Sequence, residues 1–358
     1  MRIVLDDRAL KFSGMGVYTH NIYTAIKHLE NEAFLYNDNL SVSRSSFIEK
    51  YINFLRRQLN DQFMLVNFLD INKADLYHAT RNTGVPFFSP VPVVVTIHDI
   101  IPHVFSQQYL NNILEKIYYE IAIRISIHRS AKILTISNFS KQELIKHYNV
   151  TPNKIEVIPL ACNDAFRKIT DSKHLQSIRE KYSLNDNYIL AIGGSEYRKN
   201  IERLIHVYNK NFTEKYKLIV IGGKWRDIDL RAQYASEKIK FLTNIPEEDL
   251  IAIYNMAEVF VFPSFYEGFG IPVLEGMACG VPVVTSKVSS MPEVGGDAAV
   301  YFDPFDEKDM AEKIATVLDD SKLREQLIAK GFEQCKKFSW EKCCRATLEV
   351  YRDVVGRR

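Results

Sequence analysis

The chain has 358 residues, 46% hydrophobic and 25% charged, roughly twice the length of an ordinary domain, so two packed domains are expected rather than one core. Its 46 Lys+Arg against 44 Asp+Glu leave a formal charge of +2, far short of the basic excess that a phosphate backbone requires, which argues against a nucleic-acid partner. No apolar run reaches about 18 residues, the opening MRIVLDDRAL puts acids where a signal peptide carries its apolar stretch, and the five cysteines form no CxxC pair, so a cytoplasmic chain with reduced thiols, and neither a disulfide framework nor a zinc site, is expected.

Apolar β-rich runs alternate with helical patterns from end to end, the signature of βαβ units and parallel sheets. In the first half Arg2 to Leu5, Val93 to Ile97, Ile133 to Ile136 and Lys154 to Ile158 read as strands. Val17 to Lys27, Gln108 to Ser130 and Lys141 to Tyr148 read as helices. FSGMGVYTHNI, residues 12 to 22, follows the first strand and opens a helix, with Gly14 and Gly16 small enough for a backbone to approach a ligand closely. VVVTIHDIIPHVF, residues 93 to 105, sets His98 and Asp99 at the end of a β-branched run. There, side chains of a doubly wound sheet face the ligand crevice, and Asp99 could orient His98. Stretches 47 to 59 and 109 to 129 are amphipathic with basic flanks: Phe47, Ile48, Ile52, Leu55 and Leu59 beside Lys50, Arg56 and Arg57, and Leu110, Ile113, Ile117, Ile121 and Ile125 beside Lys116, Arg124 and Arg129. Core packing explains both, with docking on an anionic membrane face as the alternative.

The polar stretch between Ile158 and Tyr188 separates two series of strands, so the domain boundary is placed near Asp164, giving domains 1–164 and 165–339. Strands follow at Tyr188 to Ile192, Lys217 to Ile221, Val259 to Phe262 and Val281 to Thr285, and helices at Glu247 to Met256, Glu307 to Asp319 and Lys322 to Lys337. A last helix, about 340–358, is expected to cross back onto the first domain. IGGSEYRKN, residues 192 to 200, ends a strand in glycines and delivers Arg198 and Lys199 just before a helix, two cations able to neutralise a diphosphate leaving group. VFVFPSFYEGFGIPVLEGMACGVPVVTS, residues 259 to 286, reads as strand, glycine-bearing loop, helix with Pro272 at its first position and Gly280 as its stop, then strand. The amides of Phe269, Gly270 and Ile271 would point out of that helix N-terminus and seat a phosphate. Glu267 before the helix and Glu275 within it can each accept hydrogen bonds from a diol, so the stretch suggests a nucleotide-sugar.

The run Glu267-Gly-Phe-Gly-Ile-Pro-Val-Leu-Glu275 is an E-x7-E pattern, and with it the chain resembles the retaining glycosyltransferases of family 4 over essentially its whole length. The resemblance implies an α/β GT-B fold of two Rossmann-like domains facing across a cleft. It implies that Glu267 contacts the donor sugar at its reacting face, that Glu275 holds the ribose, and that the amides from Gly268 through Ile271 bind diphosphate and sugar. Arg198 and Lys199 stand where family members carry a basic residue before Asn or Gly. Where many carry an Arg directly after the strand this chain has Gly194 or Ser195, so Arg198 takes that role. By the same resemblance His98 lies near the donor sugar, the Gly14–Gly16 loop faces donor or acceptor, and the backbone from Thr243 to Ile245 packs on the nucleobase, with Asn244 or Ile245 influencing base choice. Glu267, His98, Arg198 and Lys199 are thus the catalytic candidates, and the implied reaction is metal-independent hexosyl transfer with retention, with no cofactor besides the nucleotide-sugar co-substrate.

SGMGVY, IHDIIP and RKN most resemble the bacterial mannosyltransferase-like branch that builds O-antigen and capsular chains. GDP-mannose is therefore the first expected donor. A saccharide, free or carried on polyprenyl diphosphate, is the expected acceptor, and the enzyme would be cytoplasmic or peripheral on the inner face of the cell membrane. UDP- or dTDP-sugars, or a non-catalytic sugar-nucleotide-binding module, are the alternatives. An epimerase would need a GxxGxxG near the N-terminus and a YxxxK pair, neither of which is in place.

Overall fold

In a computed structural model of the chain, residues 1–8, 14–28, 32–36 and 62–356 are described, and the amphipathic stretch 47–59 lies outside them. The chain forms two compact units, one of Met1–Leu160 with Trp340–Arg358, the other of Ala161–Ser339. Among the described residues each unit holds one six-stranded sheet, and every strand pair is parallel.

The first sheet contains β1 (Arg2–Asp6), β2 (Glu32–Tyr36), β3 (Leu76–Ala79), β4 (Val93–Thr96), β5 (Lys132–Thr135) and β6 (Ile155–Val157), in the order β2-β1-β3-β4-β5-β6. The second contains β7 (Tyr188–Ile192), β8 (Lys217–Ile221), β9 (Ile239–Leu242), β10 (Val259–Phe262), β11 (Val283–Ser286) and β12 (Ala299–Phe302), in the order β12-β11-β10-β7-β8-β9. The VVVT of β4 and the VFVF of β10 are buried at every position, as strands of a parallel sheet covered on both faces must be. Val4, Tyr77, Val95, Ile123 and Ile133 anchor the first core, and Ile189, Tyr208, Val220, Val261 and Ile314 the second.

In both sheets the chain winds outward in one direction and then returns to wind in the other. The reversal falls between β1 and β3 in the first unit and between β7 and β10 in the second. At such a reversal the loops leaving the two central strands diverge and open a crevice beyond the carboxyl edge, where doubly wound sheets take their ligands. In the second unit these loops are the ones that carry Arg198, Lys199 and Glu267.

Several elements differ from the sequence expectation. β2, β3, β9 and β12 carry too short an apolar run to stand out. The helix expected at 108–130 is broken: a turn at Ser106–Tyr109 precedes the helix Ile113–Arg129, whose N-cap Asn112 accepts from the Glu115 amide at 3.0 Å. The polar stretch after Ile158 contains a helix, Ser172–Lys181, capped by Asp171 through the Lys173 and His174 amides. The helix Trp340–Gly356 belongs to the first unit and packs on Gly14–His28. A buried polar chain fastens it: Tyr351 Oη pairs with His78 Nδ1, His78 Nε2 lies 2.7 Å from Thr96 Oγ1, and Thr96 Oγ1 lies 2.9 Å from Tyr18 Oη. Burial, reinforced by the nearby His98, holds His78 neutral with its pKa down at about 3. All five cysteines are free.

Candidate functional site

Two glycine pairs shape the carboxyl edge of the second sheet. Gly194 and Gly222 have φ of +58° and +143°, and a Cβ on either would lie 2.5 Å from Gly223 O or 2.3 Å from Gly194 N. The loops after β7 and β8 therefore press backbone to backbone, joined by Ser195 N donating to Gly223 O at 3.0 Å, a contact that only glycine permits. A Cβ on Gly193 would meet Lys199 Cβ at 2.7 Å, so this glycine makes room for the lysine stem. The glycines of IGGS thus serve the packing that aims Lys199.

After a short 3-10 turn at Tyr197–Lys199, Asn200 takes the left-handed conformation at φ 57°, which Asn tolerates better than most residues. Its Nδ2 donates to Pro263 O at 3.0 Å and Pro304 O at 3.1 Å, and Phe265 N donates to Arg198 O at 2.8 Å. The RKN turn is thereby bound to the loop that follows β10, so that Arg198, Lys199 and Glu267 converge.

Arg198 Nη1 lies 2.6 Å from Glu267 Oε2, and Lys199 Nζ lies 2.7 Å from Glu267 Oε1. Ser264 Oγ donates to the same Oε1 at 2.8 Å. Burial opposes the charge of Glu267, but Arg198 and Lys199 outweigh it and hold the carboxyl at about 2. Burial and the adjacent guanidinium pull Lys199 below the usual lysine range against the opposing Glu267. Glu196, unremarked in the sequence, grips Arg198 from the other side, accepting from Nε at 2.8 Å. Two cations and two carboxylates make the cluster neutral, and Arg198 also donates to Tyr266 O at 3.1 Å.

The helix that follows is Ile271–Ala278, with Gly270 as its N-cap in the left-handed region at φ 106°. Pro272 is therefore the second helical residue, one position later than expected. Ser290 Oγ lies 2.9 Å from Glu267 O and 2.7 Å from Phe269 O and shares its one hydrogen between these two carbonyls. The amides of Phe269, Gly270 and Ile271 have no protein acceptor among the described residues, so three oriented donors stand at a helix N-terminus, a seat for an anion. Gly268 is buried beside them. Glu275, one turn into the same helix, accepts from Tyr254 Oη at 2.9 Å. Burial is the main cause that lifts its pKa to about 7, against the Tyr254 hydrogen bond. Tyr254, Ser264, Ser290 and Glu196 were not read from the sequence; only Glu196, two residues from Arg198, left a local signal.

Ile245 is half-buried in the loop after β9, following Asn244 at φ 54°. β9 is separated from β7 by β8 alone, so the loop that carries Ile245 leaves the same carboxyl edge as the loop that carries Lys199.

The remaining candidates belong to the first unit. Gly14 and Gly16 lie within the first turn of the helix Gly14–His28, which begins three residues before the expected Val17. A Cβ on Gly14 would meet nothing within 4 Å, so packing does not demand glycine there. His98 is 6% exposed, its Nε2 donates to Thr80 O at 3.0 Å, and burial holds it neutral at about 4. Its Nδ1 is left as an acceptor. Asp99 Oδ1 accepts from Ile101 N at 3.0 Å. Among the described residues no cluster of three or more His, Cys, Asp and Glu side chains could hold a metal ion.

Comparison with known proteins places this geometry. Residues 12–166 match the profile "Glycosyltransferase Family 4" and residues 175–334 the profile "Glycosyl transferases group 1". O-antigen chain mannosyltransferase B of Escherichia coli is 35% identical over 335 residues, covering 88% of this chain and 86% of that protein. The serotype-specific mannosyltransferase WbdA of Escherichia coli is 32% identical over 277 residues, covering 74% of this chain, which spans only 34% of that longer protein. Among solved structures, a glycosyltransferase from Rickettsia africae ESF-5 superimposes with a TM-score of 0.77 at 19% identity, covering 99% of this chain and 98% of that one, and so shares the GT-B fold. The chain belongs to the family 4 glycosyltransferases, the group that includes O-antigen chain mannosyltransferase B, and is a glycosyltransferase.

Proposed function

We propose that the enzyme transfers mannose from GDP-mannose, with retention at the anomeric carbon, to a hydroxyl of a surface-polysaccharide precursor saccharide carried on polyprenyl diphosphate at the cytoplasmic face of the membrane. The observation that carries the reading is the cluster at the second sheet's reversal point, where Arg198 and Lys199 lie within 2.7 Å of Glu267 next to the three unpaired amides of residues 269–271. Identity to two mannosyltransferases supports the choice of sugar.

In this reading the donor diphosphate rests on the amides of Phe269, Gly270 and Ile271, and Glu275 accepts hydrogen bonds from the ribose hydroxyls. Ile245 lies against the base. Breaking the bond between C1 and the diphosphate oxygen leaves an oxocarbenium-like sugar and a dianionic leaving group. Arg198 and Lys199 turn from Glu267 toward the departing phosphate and stabilise its charge. The cluster is neutral before the donor arrives, so the amides supply the initial attraction and the cations act as charge develops. The acceptor oxygen attacks C1 from the face the phosphate leaves, a new C–O bond forms, and the acceptor's proton passes to the departing phosphate oxygen. Glu267, kept as a carboxylate, accepts hydrogen bonds from hydroxyls of the transferring sugar, and neutral His98 offers Nδ1 to another. The first turn of the helix Gly14–His28, with Gly14 and Gly16, faces donor or acceptor. This chemistry uses protein cations and amides where other transferases use a metal.

A UDP- or dTDP-sugar donor is the second reading, since Ile245 carries no base-reading hydrogen-bond group. The test is transfer of radiolabelled sugar from GDP-mannose, UDP-glucose or dTDP-rhamnose to polyprenyl-diphosphate saccharides, with the anomeric configuration of the product determined by NMR. An α-mannoside from GDP-mannose supports the proposal. A β-mannoside overturns retention, transfer only from a UDP- or dTDP-sugar overturns the donor, and binding without transfer from any of the three overturns catalysis in favour of a binding module.

A further inference from the structure

We propose that the pocket bordering the RKN turn of the second unit is a subsite for a neutral saccharide, separate from the donor seat; the inference rests on the chain being a glycosyltransferase and not on which donor it uses. The pocket measures about 240 Å³, less than the roughly 300–1,000 Å³ that drug-sized ligands fill, and so matches one sugar ring rather than a nucleotide. Glu196 and Tyr197 line it, whereas Arg198 and Lys199 of the same turn are aimed at Glu267. Its floor is tied by Ser195 Oγ, which accepts from Leu230 N at 3.0 Å. One wall is the helix Ile201–Asn211, which buries Leu204, Ile205 and Tyr208 in the second core and leaves Glu202 and His206 exposed. Another wall is aromatic. Phe265 is fixed by Phe305, stacked 4.9 Å away at 17°, and by Arg203, 5.3 Å from the ring centre. Tyr197 lies 5.7 Å from Phe265 and is 49% exposed.

The chemistry of these walls selects an uncharged polyol. All three lining carboxylates are engaged: Glu196 accepts from Arg198 Nε at 2.8 Å, Glu202 from Tyr234 Oη at 2.9 Å through Oε1, and Glu307 from Lys210 at 2.8 Å through Oε2. They leave little surplus charge for a cation, and the single guanidinium among the lining residues, Arg203, is too little to hold a phosphate against them. The second oxygens of Glu202 and Glu307 remain to accept from hydroxyls. Arg203 donates to Pro304 O through Nη1 at 2.5 Å, and its other N–H groups are left to donate to hydroxyls. The exposed Tyr197 ring presents its negative face to the polarised C–H bonds of a sugar. A ring that is hydroxylated at its edge and apolar on its face uses all of these groups at once. A transferase that builds on saccharide acceptors meets such rings in its own acceptor and product, so the subsite holds a sugar of the chain already made.

The test is saturation-transfer NMR on the full chain titrated with mannotriose, repeated in saturating GDP and repeated with mannose 6-phosphate. The expected result is that mannotriose binds with or without GDP, about fivefold more weakly in Tyr197→Ala and in Glu202→Ala, while the melting temperature of each variant stays at the wild-type value. Absence of mannotriose binding overturns the proposal. Binding that both variants leave unchanged, or that GDP displaces, also overturns it, since the sugar then sits elsewhere. Tighter binding of mannose 6-phosphate that Tyr197→Ala weakens overturns it in favour of a phosphate subsite. Because the readout is binding, failure of transfer from GDP-mannose overturns the proposed donor without touching this result.

Discussion

Glu267 stays ionised at any physiological pH because two cations within 2.7 Å of its oxygens outweigh its burial, whereas Glu275, with a tyrosine hydroxyl as its partner, is lifted to about 7. The two acids of one E-x7-E pattern thus stand in different protonation states near neutrality. A ribose donates to a carboxylate better than to a carboxylic acid, so GDP affinity is expected to rise about tenfold from pH 6 to pH 8. Calorimetry at the two pH values checks this, with Glu275→Gln removing the part of the slope that belongs to this group and leaving the titration of GDP itself. Glu196 left only a local signal, its place two residues before Arg198, because its role is to cancel charge on that guanidinium. Glu196→Gln is expected to leave the cluster with a net positive charge and to lower the Kd for GDP several-fold, with a steeper loss of affinity in salt. An unchanged Kd would mean that Arg198 does not feel the diphosphate. Glu267, Arg198 and Lys199 were legible because each sits in a short motif. Ser290 and Tyr254 were not, since each reaches the site from a separate segment, and Ser264, three residues before Glu267, belongs to no motif that marks it.

The elements that build the edge depend on backbone contacts that composition only partly reveals. That a strand ends in IGG was plain. That the second of those glycines abuts Gly222 and Gly223 required knowing that β7 and β8 are neighbours in space. Gly194→Ala places a Cβ 2.5 Å from Gly223 O at a φ of +58°, and is expected to destabilise the second unit by about 2–3 kcal/mol, read as a lower midpoint in denaturant. Because the neighbour is backbone, the strain cannot be relieved by turning a side chain. The break before Ile113 was hidden because the apolar spacing of 109 to 129 runs straight through it. The capping side chain of Asn112, not periodicity, decides where that helix begins.

At the scale of the whole chain, the alternation of strand and helix made two parallel α/β units legible, since long β-branched runs survive any local ambiguity. Sheet edges were lost: β2 and β12 have exposed or half-buried positions and so lack the continuous apolar run that marks a central strand. The helix Trp340–Gly356 returns to the first unit, where Leu348, Tyr351 and Val354 are buried. Truncation before Trp340 uncovers those contacts and removes the partner of His78. Fast hydrogen exchange is expected across β1 to β6 with protection kept in β7 to β12, and uniform protection would contradict the division into units.

The most direct test of a diphosphate seat formed by Lys199 and the amides of residues 269–271 is thermal stabilisation of the purified protein by GDP, UDP, dTDP and GDP-mannose, run in parallel on Lys199→Ala. A ligand that binds only the folded state raises the melting temperature by mass action. The expected result is a shift selective for GDP and GDP-mannose, with Lys199→Ala strongly reducing the shift by GDP, whose diphosphate carries the fully developed charge. No shift with any nucleotide, or a GDP shift that Lys199→Ala leaves intact, would contradict the assignment of the seat.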